Sequence, residues 1–178
     1  EKAFFSPRLS TERERIAGLV KDGEVVINMF GGVGMFSLLA AKDTACTVYN
    51  IDLNPVAAQL CKENAQINKL KGEVISLNGD ATKVINEQLS GKADRVLMLL
   101  PERSDEFLDS ALNGLKNKGI IHYYSHIHAD KKQDAPKLSE EHFMSVNKTN
   151  AEIITSRNVR PVGPRFYQTV VDVKISKS

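Results

Sequence analysis

Val25–Phe36 reads VVINMFGGVGMF, and the fold turns on this stretch. A β-branched apolar run enters a turn containing Gly31, Gly32 and Gly34, and a helix of small residues, Ser37 to Ala41, leaves it. Glycines in such a turn let backbone approach a ligand closely, and the free N–H groups at the start of the following helix face that ligand. The dinucleotide fingerprint G-x-G-x-x-G does not fit. With Gly32 and Gly34 as its first two glycines, the third position is Ser37.

Outward from this stretch, strand and helix patterns alternate. Short apolar runs lie at 24–29, 47–51, 73–77, 95–100, 119–124, 151–155 and 167–175. Between them, helical spacing covers 10–20 with Ser10 or Thr11 as N-cap, 55–68 with Pro55 in the first turn, 104–116 with Gly119 just past its end, and a shorter stretch at 139–146. Alternation of this kind implies parallel strands joined by crossover helices that cover both faces. The last two runs are separated by a turn-rich basic stretch, 157–165, with Pro161, Gly163 and Pro164, which suits an antiparallel hairpin closing one edge. The expectation is an α/β fold: a mostly parallel seven-stranded sheet in a single domain over residues 1–178, with 1–22 leading in on the substrate side and 23–178 as a Rossmann-like core.

Two carboxylates follow the glycine turn. Asp52 ends the YNID run about 20 residues after the glycines, where a carboxylate accepts hydrogen bonds from both hydroxyls of a ribose. Asp80 follows the third strand in LNGD, placed to meet an adenine at the same strand edge. Taken singly, these features fit a tight strand–helix turn and two helix-capping aspartates. Together they mark the C-terminal ends of consecutive parallel strands, where open α/β sheets bind ligands. No G-x-x-x-x-G-K-[ST] is present, which disfavours a nucleoside triphosphate; a ligand with adenine and ribose but no phosphate cradle is S-adenosylmethionine.

Composition narrows the class without naming a partner. The 178 residues carry a net charge of +2, 42% hydrophobic and 26% charged residues, ordinary values for a folded chain. Residues 131–178 hold nine Lys/Arg against five acids, a basic third that suits either phosphates or a solvated face. Cys46 and Cys61 form no C-x-x-C, so a reducing, cytoplasmic setting is the expectation. No apolar run approaches the roughly 18 residues of a membrane span. His122, His126 and His128 lack the neighbouring Cys or carboxylate spacing of a metal site, and no metal is expected. The chain begins at Glu1 without a basic-then-apolar leader; the expectation is an excised domain with an RNA-recognition domain upstream.

The stretch Asn28–Gly34, NMFGGVG, resembles the D-x-F-x-G-x-G motif of class I S-adenosylmethionine-dependent methyltransferases, with Phe30, Gly31, Gly32 and Gly34 on the cofactor and an amide, Asn28, where the family has an acid near the methionine amino group. FSPRLSTER (Phe5–Arg13), MLLP (Met98–Pro101), IIHYY (Ile120–Tyr124) and GPRFY (Gly163–Tyr167) extend the resemblance to the tRNA (guanine-37-N1)-methyltransferases of archaea and eukaryotes. It covers nearly the whole chain. FSPRLSTER is its most specific part; IIHYY is shared with the archaeal enzyme that builds the wybutosine side chain on the same nucleotide.

That resemblance implies roles. Methylating guanine N1 requires removal of its proton, a task for a carboxylate; the family assigns it to Glu12, with Arg8 as cationic partner and Pro101 shaping the turn beside the base. On spacing alone, Arg8 and Glu12 equally fit a surface ion pair worth about 0.3–0.5 kcal/mol. The family's N-L-P at the fourth strand's end is Leu99-Leu100-Pro101 here, so the amide that contacts guanine is missing. Either the target is another base, such as a tricyclic wyosine precursor, or Glu102 or Arg103 replaces the contact. Leu99, Arg165 and Tyr167 are the expected substrate contacts. Arg157, Arg160, Lys131 and Lys132 are placed for the phosphates of a tRNA anticodon stem-loop, and Phe5, Tyr123, Tyr124 and Tyr167 for stacking or for core packing. The expectation is a monomeric methyltransferase. Aminocarboxypropyl transfer from the same cofactor, and a tRNA-binding homologue without catalysis, are the alternatives.

Overall fold

The computed structural model describes residues 9–177. Fourteen elements follow one another: α1 (Ser10–Leu19), β1 (Val25–Asn28), α2 (Met35–Lys42), β2 (Thr47–Asp52), α3 (Pro55–Ile67), β3 (Glu73–Asn78), α4 (Ala81–Val84) running into a π-turn (Ile85–Leu89), β4 (Ala93–Met98), α5 (Ser104–Gly114), β5 (Leu115–His128), α6 (Ala135–Val146), β6 (Asn150–Gly163) and β7 (Phe166–Ser176). The seven strands form one sheet in the order β3-β2-β1-β4-β5-β7-β6. β1 to β5 pair in parallel, and β7 lies antiparallel between β5 and β6. This is the expected architecture.

Both faces are covered because the central strands carry buried apolar residues on both sides. Ile27, Val96 and Met98 face one layer with Ile85, Leu89, Phe107, Ala111 and Phe143, from the π-turn, α5 and α6. Val26, Val48 and Leu97 face the other, with Ile16 and Val20 from α1 and its end and Phe36, Ala40 and Ala41 from α2. Chain order reverses between β1 and β4, so the connections leaving their C-terminal ends diverge and open a crevice there.

Several expected boundaries move. The helix expected at 139–146 starts at Ala135, capped by Asp134, whose carboxylate accepts the Lys137 N–H, with Pro136 in the first turn. Neither Ser10 nor Thr11 caps α1: Leu9 stands at its N-cap position with no side-chain hydrogen bond. The basic stretch 157–165, read as a loop, is strand through Gly163, and the turn shrinks to Pro164 and Arg165. β6 is an edge strand, where Pro161 sacrifices no interior ladder bond, and three register shifts along β6·β7 absorb the irregular residues. Arg165 takes φ 57° to close the turn.

Candidate functional site

The crevice holds about 430 Å³, a volume suited to a small ligand. Phe30, Gly31, Gly32, Val33 and Asp52 line one wall; Leu99, Leu100, Tyr124 and Gln168 line the other.

A buried polar scaffold shapes the glycine wall. Asn50 Oδ1 accepts from Ser37 Oγ at 2.7 Å, Asn28 Nδ2 donates to Ser37 Oγ at 3.1 Å, and Asn50 Nδ2 donates to the Gly32 carbonyl at 3.2 Å. Any Cβ at Gly31 would fall 1.9 Å from Asn50 Oδ1, so the scaffold itself demands glycine there. Gly32, at φ +55°, would direct a Cβ into open space, and Gly34, at φ +92°, would drive one to within 2.6 Å of Cys61 Sγ. Asn28 is fully buried beneath the loop and does not line the crevice. The contact that the resemblance gives its position, to a methionine amino group, is therefore not formed by this side chain as placed. Its Oδ1 has no hydrogen-bond partner among the described residues.

Asp52 is the carboxylate that reaches the crevice. One oxygen accepts the Gly32 N–H at 2.8 Å and the other the Asn54 N–H at 2.8 Å. A carboxylate offers about four lone-pair sites, so two remain for a pair of hydroxyls. Asp80, by contrast, is exposed, caps α4 through the Lys83 N–H at 2.9 Å and does not line the crevice. Of the two readings open for Asp80 in the sequence, the capping one describes what it does here.

On the opposite wall, Leu99 and Leu100 follow the end of β4 at Met98, and Pro101 begins the turn closed by the Arg103 N–H on the Leu100 carbonyl at 3.0 Å. Arg103 is exposed and paired with Glu106 at 2.6 Å. Behind this wall stands Glu12, only 4% exposed. Its Oε1 accepts the Tyr124 hydroxyl at 2.7 Å and Arg15 Nη2 at 2.7 Å. Glu12 is thus no surface ion pair with a solvated partner. Arg8 and Phe5 lie outside the described residues.

Arg15 also donates to Asp172, which accepts His122 Nδ1 at 2.6 Å. Arg95 Nη1 lies 2.8 Å from His122 Nε2, and an arginine can only donate, so His122 is neutral with its proton on Nδ1. Burial lowers the His122 pKa, partly opposed by Asp172. Burial alone would raise that of Asp172, but the hydrogen bonds from His122 and Arg15 bring it down to about 2. Burial first, and then the Glu12 carboxylate, push the Tyr124 phenol well up, so it remains a donor.

The aromatics and cations divide by face, since successive strand residues point to opposite sides. Tyr124 enters the crevice, while Tyr123 turns to the other layer against Phe143 and bonds Asp105. Tyr167 packs beside the 130–136 loop rather than in the crevice, and Arg165 is exposed and paired with Asp130 at 3.1 Å. Lys131 and Lys132 are exposed. Gln168, which follows Tyr167, takes the crevice position. Arg15, Asp172, Asn50 and Gln168 were not singled out in the sequence, and Ser37 only as a misfit to the dinucleotide fingerprint; an acid inside the apolar run TVVDVKI was the one available signal.

Among the described residues, no group of three or more His, Cys, Asp or Glu is placed to hold a metal, and no helix is long and apolar enough to cross a membrane. The family model for the TRM5/TYW2 methyltransferase domain matches residues 1–154. The chain is 39% identical over 176 residues to the tRNA (guanine(37)-N(1))-methyltransferase Trm5b of Methanocaldococcus jannaschii, covering 99% of this chain and 48% of that protein. It is 40% identical over 174 residues to the tRNA 4-demethylwyosine(37)-methyltransferase Taw21 of Saccharolobus solfataricus, covering 97% and 63%. The chain thus spans about half to two thirds of these relatives' length. Its fold superposes on the crystal structure of M. jannaschii TYW2 in complex with AdoMet with a TM-score of 0.82 at 29% identity, covering 99% of this chain and 80% of that one. A glycine wall and strand-tip carboxylate facing a carboxylate-backed tyrosine, together with these matches, lead to one conclusion: the chain belongs to the TRM5/TYW2 methyltransferase domain family.

Proposed function

We propose that this chain transfers the methyl group of S-adenosylmethionine to the nucleobase at position 37 of a tRNA, at N1 when that base is guanine. The observation that carries the reading is the crevice itself: it places a ribose-competent carboxylate, Asp52, across from Tyr124, whose hydroxyl bonds the Glu12 carboxylate at 2.7 Å. The residues fit the cofactor. Gly32 opens its backbone to the crevice, Asp52 retains acceptor sites for the two ribose hydroxyls, and Phe30, packed edge-on against Phe107 at 4.9 Å, supplies an apolar floor.

When bound, the sulfonium supplies an electrophilic methyl carbon and leaves as a neutral thioether. The chain's part is placement and one proton. Tyr124 and Leu100 bound the space for a base extruded from the tRNA, as enzymes acting on a base require. Glu12 stands behind Tyr124, so the ring-nitrogen proton passes to the Tyr124 oxygen as its hydroxyl proton passes to the Glu12 carboxylate and the new N–C bond forms. Arg15, held by Asp172, fixes the Glu12 carboxylate, and Tyr124 directs one of its oxygens.

A second reading has its own support. Leu99 and Leu100 present hydrocarbon where guanine contact was expected, which suits a tricyclic wyosine precursor at the same nucleotide. Aminocarboxypropyl transfer remains the rival reaction, and non-catalytic tRNA binding the rival from another class. One experiment separates all four. Unmodified tRNA transcripts with G37, and tRNA carrying the tricyclic precursor, are incubated with the 178-residue chain and labelled cofactor, then digested for nucleoside mass spectrometry. A gain of one methyl on G37 supports the first reading, and a methyl on the precursor alone the second. The larger increment supports the aminocarboxypropyl rival, and tRNA bound without any increment supports the non-catalytic one.

A further inference from the structure

The side chains after the tip of β4, Leu99 and Leu100, carry no hydrogen-bonding group, yet a polar row crosses the sheet beside them. His126 of β5 stands directly opposite Gln168 of β7, and Gln168 directly opposite Arg160 of β6. Opposed residues share a face of a sheet, here the face that carries Tyr124. Arg160 Nε donates to Gln168 Oε1 at 2.8 Å. That bond orients the carboxamide, its carbonyl toward β6 and its NH2 released from that contact. Gln168 is 4% exposed and lines the crevice with Leu99, Leu100 and Tyr124, and among the described residues no hydrogen bond uses its Nε2. On the neighbouring strand, His126 Nε2 is buried without a partner among the described residues. An unused donor that faces the crevice, beside a buried ring nitrogen with no partner, points to a ligand that completes them.

We propose that Gln168, clamped by Arg160 and flanked by His126, reads the target base by donating from Nε2 to an exocyclic carbonyl oxygen. The inference rests on the methyl-transfer reading above and deepens it. Removing the proton from a ring nitrogen beside a carbonyl spreads negative charge onto that oxygen. A donor already fixed there stabilises the charge as it develops, and loss of one such donor typically lowers a rate about 10²–10³-fold. The substrate class follows: a purine-derived base with a ring carbonyl, met by guanine and by tricyclic bases that retain the oxygen. Adenine presents an amino group at that place and meets Gln168 donor to donor.

The test is single-turnover methyl transfer to G37 and A37 transcripts by the parent chain, Gln168→Leu, Gln168→His and Arg160→Ala, with cofactor affinity and melting temperature measured alongside. Gln168→Leu is expected to lose about 100-fold in rate with cofactor Kd and melting temperature unchanged. Gln168→His, which keeps an N–H donor, is expected to recover at least tenfold of that loss. Arg160→Ala, which frees the carboxamide to rotate, falls between parent and Gln168→Leu. A Gln168→Leu rate within twofold of the parent overturns the inference, as does a loss that tracks weakened cofactor binding or a lowered melting temperature. Methylation of A37 by the parent at the G37 rate overturns it as well. A parent that transfers nothing to any tRNA overturns the methyl-transfer reading, and this inference with it.

Discussion

Arg15 and Asp172, separated by 157 residues in sequence, meet at 2.5 Å between Nη1 and Oδ2 behind the crevice. The same guanidinium serves Glu12, so one cation holds two buried carboxylates, each less than 5% exposed. Removing either acid leaves a largely buried cation with half its compensation. That geometry makes the N-terminal helix dependent on the last strand.

Asp172→Asn is therefore expected to destabilise the chain by about 3 kcal/mol, the range for breaking a buried ion pair. Urea unfolding at pH 7.5 measures it. A loss under 1 kcal/mol would show that the Arg15–Asp172 contact contributes no more than a surface pair.

The acid response has a defined sign. His122 has a lowered pKa through burial, so below its unfolded value of about 6.5 the unfolded chain takes up a proton that the folded chain refuses. Stability from this group is present above about pH 6.5 and falls as pH drops below it, by about 1–2 kcal/mol between pH 7.5 and pH 5. Asp172, brought down to about 2, contributes stability above its unfolded value of about 3.8 that is lost as pH falls toward 2. His122→Gln is expected to flatten the limb between pH 7.5 and 5 relative to the parent. Parallel limbs in the two proteins would exclude His122 as its source.

Glu12→Gln keeps the shape of the carboxylate and removes its basicity. Methyl transfer is expected to fall about 10²–10⁴-fold while cofactor affinity stays within twofold. Titration calorimetry and single-turnover rates on the same preparation separate the two, and an unchanged rate would remove Glu12 from the proton-transfer role.

On the cofactor wall, Asp52→Ala deletes an acceptor for two backbone N–H groups as well as the proposed ribose contact. Cofactor Kd is expected to rise about 10–100-fold, the scale of a lost hydrogen bond to a charged group. Unaltered affinity would refute the ribose assignment.

The two left-handed glycines of the turn after β1, Gly32 and Gly34, should respond differently. Gly34→Ala meets Cys61 Sγ at 2.6 Å and is expected to lower the melting temperature more than Gly32→Ala, which meets only open space. Gly32→Ala carries roughly 1–2 kcal/mol of backbone strain and places a methyl in the crevice, so its larger effect is expected on cofactor Kd. Thermal melts paired with calorimetry decide, and the reverse ranking would contradict the placement of the loop.

Much of this arrangement was legible from local chemistry. The run into Gly31, Gly32 and Gly34, the carboxylate of Asp52 and the alternation of strands and helices all depend on residues within one strand–turn–helix unit, whose patterns survive in sequence. What was not legible depends on pairing between distant elements. Asp172 was visible as an acid in an apolar strand, but nothing near it names Arg15 as its partner. The exchange of Tyr167 for Gln168 at the crevice is a matter of one residue's parity, set by the β5·β7 register. The extension of β6 through Pro161 and Gly163 needed the knowledge that β6 lies at an edge.

The packing of α1 carries a mechanical consequence. Ile16, on the helix that bears Glu12, shares a core with Phe36 and Ala40 of α2, the helix that springs from the glycine turn. The proposed proton acceptor and the glycine wall are thereby bolted to one chassis, so a shift of α1 is expected to carry the glycine wall with it.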